Sequence, residues 1–335
     1  MSKVTKTPGC HMAAELAQSL PVFRAAAEQS VPYIALDDVT AIYTIARGSS
    51  DAVANILSYE FMRVLGRPMT SLPPSIYSLG SGVGLQDTLC MIVSQSGASD
   101  DLVRSAQGAA RQGARVVAIT NQSDSPVEAA AQVTLSALAG EELAVPATKT
   151  VIGSIAAGIA FLRSQSSGYD RQIIQSLDVL TNLVEPKLEQ HERIRAALLR
   201  ARHVYVIGRD TGYGAAIETA LKIKETCALH AEAYSASEVL HGPLQLATNP
   251  LFVMILDTGQ TETQPSLDQA ERRFLEVGCE VIRIRVADVV HGAVAPAVAA
   301  AILLRSVYPL ILEAALALGF DPDVPKTLAK VTQTT

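Results

Sequence analysis

The sequence predicts an α/β protein of two tandem domains, each a parallel β-sheet with helices on both faces. Short apolar runs of strand length alternate with longer helical patterns, which favours parallel strands joined by right-handed crossovers. Residues 42–46 align with residues 204–208 at an offset of 162, and residues 91–97 align with residues 253–259 at the same offset. The composition, 49% hydrophobic but only 4% aromatic, suits helices packed closely on buried sheets.

The first half reads as a regular succession of strands and helices. Apolar residues recur at helical spacing near its start, and Gly66 and Gly113 end two later helices. In chain order we expect a helix over 12–30, a strand over 41–46, a turn at 47–51 into a helix reaching 65, an extended piece over 68–74, a strand over 88–93, a helix from about 100 to 112, strands over 115–119 and 133–135, and a helix over 148–162.

The second half follows a polar, turn-rich stretch at 164–168. Residues 170–199 carry amphipathic helical periodicity interrupted by Pro186, and they bridge the two halves. A strand over 204–207 and a helix from about 215 to 227 come next. We therefore expect five parts: an N-terminal helical segment (1–34), a first domain (35–165), a helical connection (166–200), a second domain (201–320) and a tail (321–335).

Composition and charge exclude several classes of function. The formal charge of −6, without a cluster of Lys and Arg, disfavours a nucleic-acid partner. The four cysteines form no C-x-x-C pair and read as reduced core thiols. The longest apolar run, 293–304, is too short to span a bilayer, and the first twenty residues lack a signal-peptide core. We expect a cytoplasmic protein without a membrane partner.

Polar side chains between a strand end and a helix start predict an anion site. They are Ser94, Gln95, Ser96 and Ser99. Ligands bind at this position in open α/β sheets, where the helix N-terminus supplies free N–H groups and partial positive charge. Three further hydroxyls at a strand end and a helix start can add donors: Ser49, Ser50 and Thr148. The set suits a phosphate monoester held by neutral donors.

Helix capping is the simpler interpretation of the same residues. Ser99 alone would cap the helix while the others form a turn, and capping is compatible with anion binding. The stretch is not a Walker loop, and residues 208–214 do not carry the G-x-G-x-x-G pattern, so a nicotinamide cofactor is disfavoured.

The helix over 215–227 concentrates groups that transfer protons. Glu218, Lys222 and Glu225 lie at i, i+4 and i+7, and therefore on one face. The simpler interpretation is a pair of solvated ion pairs that stabilise the helix. The chemical interpretation is that the helix carries a carboxylate and an ammonium into a pocket while a loop delivers the imidazole of His241. His230 and His241 lie eleven residues apart without a metal-binding motif, so we expect no metal.

Several of these motifs together resemble the sugar isomerase (SIS) domains of glucosamine-6-phosphate synthase. The matching stretches, in the order of that family, are SQSG at 94–97, ALKIKE at 220–225, HAEAY at 230–234, HGPL at 241–244 and DVPKTLAKVT at 323–332, with Met12-x-x-Glu15 near the start. The resemblance covers roughly residues 12–335 and implies flavodoxin-like SIS domains. It favours the chemical interpretation of the helix over the solvated ion pairs.

The resemblance implies roles for individual residues. Glu225 would move the proton between C1 and C2 of the sugar. His241 would assist ring opening, either in its own subunit or in the neighbouring subunit of a homodimer with shared active sites. Lys222 would stabilise developing negative charge, and Lys330 would close over the sugar and either contact its carbonyl or transiently condense with it. The phosphate would be bound by Ser49, Ser94, Gln95, Ser96 and Ser99. The substrate would be lined by Gly48, Ser50, Val145 and Thr148.

Departures from the synthase pattern change the expected reaction. Fewer than fifty residues precede the first strand, so we expect no glutamine-hydrolysing domain, and Ala147 replaces one phosphate-side hydroxyl. Residues 208–213 resemble the stand-alone glucosamine-6-phosphate deaminases built on SIS domains. We therefore expect hydrolytic deamination of glucosamine 6-phosphate to fructose 6-phosphate and ammonia, without a cofactor. Alternatives are a fructosamine-6-phosphate deglycase, another phosphosugar aldose–ketose isomerase, and a non-catalytic sugar-phosphate sensor. Galactosamine 6-phosphate stays open as a substrate.

Within the helix over 215–227 we expect Glu225 rather than Glu218 to be the base. Glu225 lies near the C-terminal end, where the negative end of the helix dipole favours a protonatable carboxyl. Glu218 lies two turns back, and Glu218→Gln is expected to cost much less activity than Glu225→Gln.

Overall fold

The computed structural model describes residues 7–181, 183 and 189–330. The described chain forms two parallel β-sheets with helices packed around them, which confirms the predicted fold class. The predicted interruption at Pro186 and the last five residues of the predicted tail lie outside the described residues.

The first half builds a five-stranded sheet. Its elements are α1 (Cys10–Ala17), α2 (Ser19–Ala27), β1 (Ala41–Ile45), α3 (Ser49–Leu65), β2 (Met69–Ser71), α4 (Ser75–Ser78), β3 (Thr88–Ser94), α5 (Asp100–Arg111), β4 (Arg115–Thr120), β5 (Val133–Ser136) and α6 (Lys149–Gln165). The strand order is β2-β1-β3-β4-β5, and every pairing is parallel. This is the doubly wound flavodoxin-like order, whose switch point lies between β1 and β3.

The second half builds a four-stranded sheet of the same winding. Its elements, with the helices that lead into it, are α7 (Ser167–Thr181), α8 (His191–Arg200), β6 (His203–Gly208), α9 (Thr211–Cys227), β7 (His230–Ser235), β8 (Phe252–Asp257), α10 (Gln264–Glu276), β9 (Glu280–Arg285) and α11 (Pro296–Ala317). The order β7-β6-β8-β9 repeats the first four positions of the other sheet. Strands β1 and β6 begin 162 residues apart, as the internal repeat predicts.

The two halves meet through α3 and α9, which run antiparallel. Gly214 near the start of α9 faces Ile56 of α3, where a Cβ on the glycine would lie 2.5 Å from the Ile56 Cγ1. At the other end of the contact, Leu221 of α9 lies beside Gly48, immediately before α3. The middle of α9 therefore lies against the N-terminus of α3.

Helix α11 is a central core helix. It is long and apolar enough by composition to cross a membrane, but 89% of its most apolar window is buried within the described protein, which is typical of a core helix. The predicted apolar run ended before Arg305, but the helix continues through it to Ala317.

Several element boundaries differ from the sequence prediction. The helix expected over 12–30 is divided into α1 and α2 at Gln18, and the turn-rich stretch expected at 164–168 narrows to the single residue Ser166 between α6 and α7. Helix α9 begins at Thr211 rather than near residue 215, because the Asp210 side chain accepts a hydrogen bond from the Thr211 N–H and starts the helix.

Candidate active site

The loop of the predicted anion site, residues 94–99 (the anion loop), follows β3 and is held by internal hydrogen bonds. The Ser94 Oγ accepts a hydrogen bond of 3.1 Å from the Gly97 N–H, and the Ser96 Oγ accepts one of 3.3 Å from the Ala98 N–H. Gly97 has φ of 59°, and a Cβ on it would lie 2.2 Å from the Ser125 Oγ. The tight turn therefore requires glycine here.

The Ser99 hydroxyl makes no capping hydrogen bond. Ser99 occupies the N-cap position of α5, and its backbone carbonyl accepts bonds from Leu102 and Val103, but its side chain caps nothing. Capping therefore does not account for this hydroxyl. Thr148 is similar at the start of α6, because its Oγ1 is buried and has no hydrogen-bond partner among the described residues. Both hydroxyls remain candidates for binding a ligand.

The charged face of α9 is buried, so the solvated ion-pair interpretation is wrong. The side chains of Lys222 and Glu218 are 1% and 0% exposed, and the Lys222 Nζ lies 3.6 Å from the Glu218 Oε1. The same Nζ also contacts the Glu225 Oε2. Buried ion pairs lose hydration that their attraction only partly restores, so such a cluster is weak evidence of a purely stabilising role.

Burial and neighbouring charges together raise the pKa values of both Glu218 and Lys222. Burial, opposed by Lys222, raises the pKa of Glu218 to about 7; Glu225 adds to the rise, while hydrogen bonds from Ser49 and Tyr308 oppose it. The Tyr308 hydroxyl donates to the Glu218 Oε1 over 3.1 Å. Burial would lower the pKa of Lys222, but the carboxylates of Glu218 and Glu225 raise it above its usual value. The ammonium of Lys222 therefore stays charged inside the protein.

The carboxylates of α9 differ in accessibility. The Glu225 side chain is 23% exposed, whereas that of Glu218 is completely buried. Only Glu225 has surface through which it can reach a substrate in this structure. Lys222 has almost none, so its ammonium acts here on Glu225 and Glu218.

The C-terminal tail lies over the segment that precedes α6. The Lys330 Nζ donates to the Glu142 Oε2 over 2.9 Å and to the Ala144 carbonyl over 2.7 Å, and the Val145 N–H donates to the Asp323 carbonyl. Burial opposes ionisation of Glu142, but Lys330 and backbone N–H groups at the start of α6 lower its pKa below the usual range. Lys330 is thus positioned beside the predicted substrate-lining segment.

Sequence reasoning missed Glu142 and Tyr308. Glu142 accepts hydrogen bonds from the backbone of Thr148 and Thr150, and its charge raises the pKa of Lys222, so it lies within the same electrostatic cluster. No spacing in the sequence marks either residue. Their role follows only from the packing of α6, α9 and α11.

His241 makes no polar contact with the charged cluster of α9 in the part of the chain that the structure describes. It is exposed, directly after the short 3-10 helix Glu238–Leu240, and no hydrogen bond or ion pair joins its side chain to α9 in the described ranges. The loop that carries it is anchored by Arg209, whose Nη1 donates to Ser235 and Ser237 over 2.8 and 2.6 Å.

One group of three metal-type ligands occurs among the described residues, remote from α9 in sequence. It comprises Cys10, His11 and Asp323, with ligand atoms within 4.8 Å of one another. The Asp323 carboxylate accepts hydrogen bonds from the His11 and Met12 N–H groups, so capping of α1 accounts for its position.

A cavity of about 900 Å³ lies at the carboxyl end of the second sheet. Its lining includes Arg63, Asp210 and Gln260, and none of the predicted site residues. Asp210 has φ of 57° and ψ of −135°, close to the 55° and −129° of Gly48 at the repeated position. At this position the second domain thus keeps the backbone conformation of the first domain but carries a different side chain.

Comparison with known proteins agrees with the internal repeat. The model of the SIS domain matches residues 35–164 and 197–306. A glutamine–fructose-6-phosphate aminotransferase (isomerizing) from Pyrobaculum aerophilum is 29% identical over 306 residues, which cover 86% of this chain and 50% of the relative. The chain therefore spans about half the length of that curated relative.

Solved structures of similar fold cover more than nine-tenths of this chain. A Silicibacter pomeroyi protein assigned provisionally as a phosphosugar isomerase is 31% identical, with a TM-score of 0.78 over 93% of this chain and 99% of that one. A glucosamine-6-phosphate deaminase from Thermotoga maritima is 18% identical, with a TM-score of 0.74 over 97% and 100% of the two chains. At 18% identity, the similarity to the Thermotoga protein shows a shared fold alone.

Proposed function

The chain belongs to the SIS domain family of phosphosugar enzymes, and we propose that it is an isomerising glucosamine-6-phosphate deaminase. In the proposed reaction, D-glucosamine 6-phosphate and water give D-fructose 6-phosphate and ammonia. Atoms balance without a metal, redox partner or organic cofactor, because the amine of the substrate becomes the imine that water hydrolyses.

The buried lysine of α9 is the observation that carries this proposal. Lys222 is held between Glu218 and Glu225, and only Glu225 is accessible. Because α9 lies against the start of α3, this cluster adjoins Ser49, one of the predicted phosphate donors. An accessible carboxylate beside a buried ammonium, next to an anion site, is suited to proton transfer on a phosphorylated sugar.

Each step of the proposed mechanism uses a group of this chain. His241 assists opening of the sugar ring. Glu225 takes the proton from C2 and returns it to C1, which converts the amino aldehyde into a 2-imino sugar. Lys330 stabilises the negative charge that develops on the sugar oxygens, while the buried ammonium of Lys222 acts through its contact with Glu225. Water adds at C2 and ammonia leaves.

Release of ammonia rather than its capture is the proposed direction. The Thermotoga protein described as a glucosamine-6-phosphate deaminase matches 97% of this chain in fold, so the described architecture occurs in a protein of that name. Water in large excess over ammonia also drives hydrolysis of the imine to the ketone and free ammonia. Isomerisation of a phosphosugar without an amine is the second candidate, favoured by the 31% identical Silicibacter protein.

A substrate panel tests the proposal. The protein is incubated with the 6-phosphates of glucosamine, galactosamine and fructosamine and with an unaminated aldose 6-phosphate, and ammonia and ketose phosphate are measured. We expect equal amounts of ammonia and fructose 6-phosphate from glucosamine 6-phosphate. Ketose phosphate from the unaminated aldose alone would replace the deaminase with the isomerase, and turnover of fructosamine 6-phosphate alone would indicate a deglycase.

A further inference from the structure

Arg47 joins the two turns that form the crevice of the first domain. It lies two residues after β1, and its Nε contacts the Oδ2 of Asp101 in the first turn of α5. Strands β1 and β3 are neighbours, with Ile45 paired to Ile92, and the chain switches direction between them. The ion pair therefore crosses the crevice in which ligands of such sheets bind.

Asp101 creates an electrostatic problem for an anion at this place. Its side chain is 0% exposed, and it lies two residues after Ser99, within the helix end expected to bind phosphate. A buried carboxylate repels a phosphate at the same helix end. Arg47 is the ion-pair partner that the described structure gives to Asp101, and it cancels this charge.

The guanidinium of Arg47 also keeps unused donors. Its side chain is 44% exposed, the contact with Asp101 is made by Nε, and within 7–181, 183 and 189–330 no hydrogen bond from its terminal nitrogens is seen. Arg209 occupies the repeated position in the second domain, and its Nη1 instead donates hydrogen bonds to the hydroxyls of Ser235 and Ser237. The two repeated arginines therefore differ in what they leave free.

We propose that Arg47 is a phosphate-binding, specificity-determining residue: it neutralises Asp101 through Nε and presents Nη1 and Nη2 to the substrate phosphate. The proposal rests on the anion site of the proposed function and adds a cation to a set of neutral donors. A guanidinium suits this task, because it can bind a carboxylate and a phosphate through different N–H groups.

Binding of inorganic phosphate, measured by calorimetry at low and moderate salt, separates this role from catalysis. We expect Arg47→Gln to weaken phosphate binding at least tenfold and to reduce its salt dependence, and Arg47→Lys to restore part of both. Asp101→Asn should bind phosphate at least as tightly as the parent, and Arg47→Gln with Asp101→Asn should recover part of the loss. Arg104→Ala, which breaks the exposed pair with Asp100 on the same helix, is the matched control and should change binding less than twofold.

Two outcomes overturn the proposal in distinguishable ways. If Arg47→Gln binds phosphate like the parent while Ser96→Ala and Ser99→Ala weaken it, Arg47 is merely structural and the anion loop stands. If the parent itself does not bind phosphate, the anion site fails, and with it both this inference and the phosphate part of the proposed function. Thermal unfolding of each variant identifies any loss of phosphate binding that is caused by misfolding. If Arg47→Gln misfolds, phosphate binding by Arg47→Lys is compared with that of the parent. An equal salt dependence of phosphate binding in these two proteins would refute the role of Arg47.

Discussion

Glu218 and Glu225 share one helix face and one lysine, but their surroundings give them different tasks. Complete burial gives Glu218 a raised pKa and no surface, while Glu225 stays accessible beside the same ammonium. Spacing alone predicted that the face was shared. It could not predict which carboxyl would be enclosed, because Tyr308, which bonds to Glu218, lies ninety residues further along the chain.

Glu225→Gln is expected to lower kcat on the order of 10²-fold or more, with KM little changed. Glutamine keeps the shape and the contact with Lys222 but cannot accept the C2 proton. Steady-state ammonia release measures this, and Glu276→Gln at the exposed end of α10 is the control. Glu218→Gln should cost much less activity, because a buried carboxyl does not reach the sugar. Turnover by Glu225→Gln near the parent rate would refute the mechanism.

Glu218 should instead control how stability varies with pH. Its folded pKa of about 7 lies above the ordinary value of 4.5, so the folded protein keeps a proton that the unfolded chain releases between those pH values. The stabilisation from this group is complete below pH 4.5 and is lost as pH rises through 7. Glutamine mimics the protonated form, so Tm of the parent should fall relative to Glu218→Gln over this range. Parallel Tm curves from pH 4.5 to 8 would contradict the assignment.

The starts of three helices, rather than one motif, form the predicted phosphate region. Helices α3, α5 and α6 all begin beyond the carboxyl ends of the first sheet, and each start carries a serine or threonine. The sequence predicted these starts because apolar strands, polar turns and helical periodicity follow each other closely. The sequence did not predict Arg47 as part of this region, because a single arginine in a turn belongs to no recognisable motif. The role inferred for Arg47 depends on Asp101, which lies 54 residues further along the chain.

Ser96→Ala and Ser99→Ala are expected mainly to raise KM, because these hydroxyls hold a part of the substrate that does not react. The matched control is Ser266→Ala at the start of α10, whose hydroxyl donates to the Thr263 carbonyl in the second domain. Steady-state kinetics with glucosamine 6-phosphate and with free glucosamine provide the measurement. Equal kcat/KM for the two sugars would remove the anion site from the mechanism.

At the scale of the whole molecule, duplication explains both the success and the limit of prediction. The offset of 162 predicted two related sheets, and the strand orders agree. The contact between the halves was not predictable from the sequence. The face of α9 that meets α3 carries charged residues, and such residues usually indicate a face exposed to solvent. The charged cluster, with Glu142 added from the first half, exists only because the two domains pack together.

The assembly prediction concerns His241, which is exposed and, among the described residues, has no hydrogen bond or ion pair to Lys222 or Glu225. If His241 serves the site of a neighbouring subunit, the smallest active unit is a dimer, and closed two-fold symmetry is the commonest arrangement. Each of two inactive proteins, Glu225→Gln and His241→Ala, would then supply what the other lacks. Mixing them after verified subunit exchange should restore up to about a quarter of the parent activity, because one mixed site in each heterodimer carries both intact groups. Activity that stays at the sum of the separate variants, with heterodimers present, would place His241 in the site of its own chain.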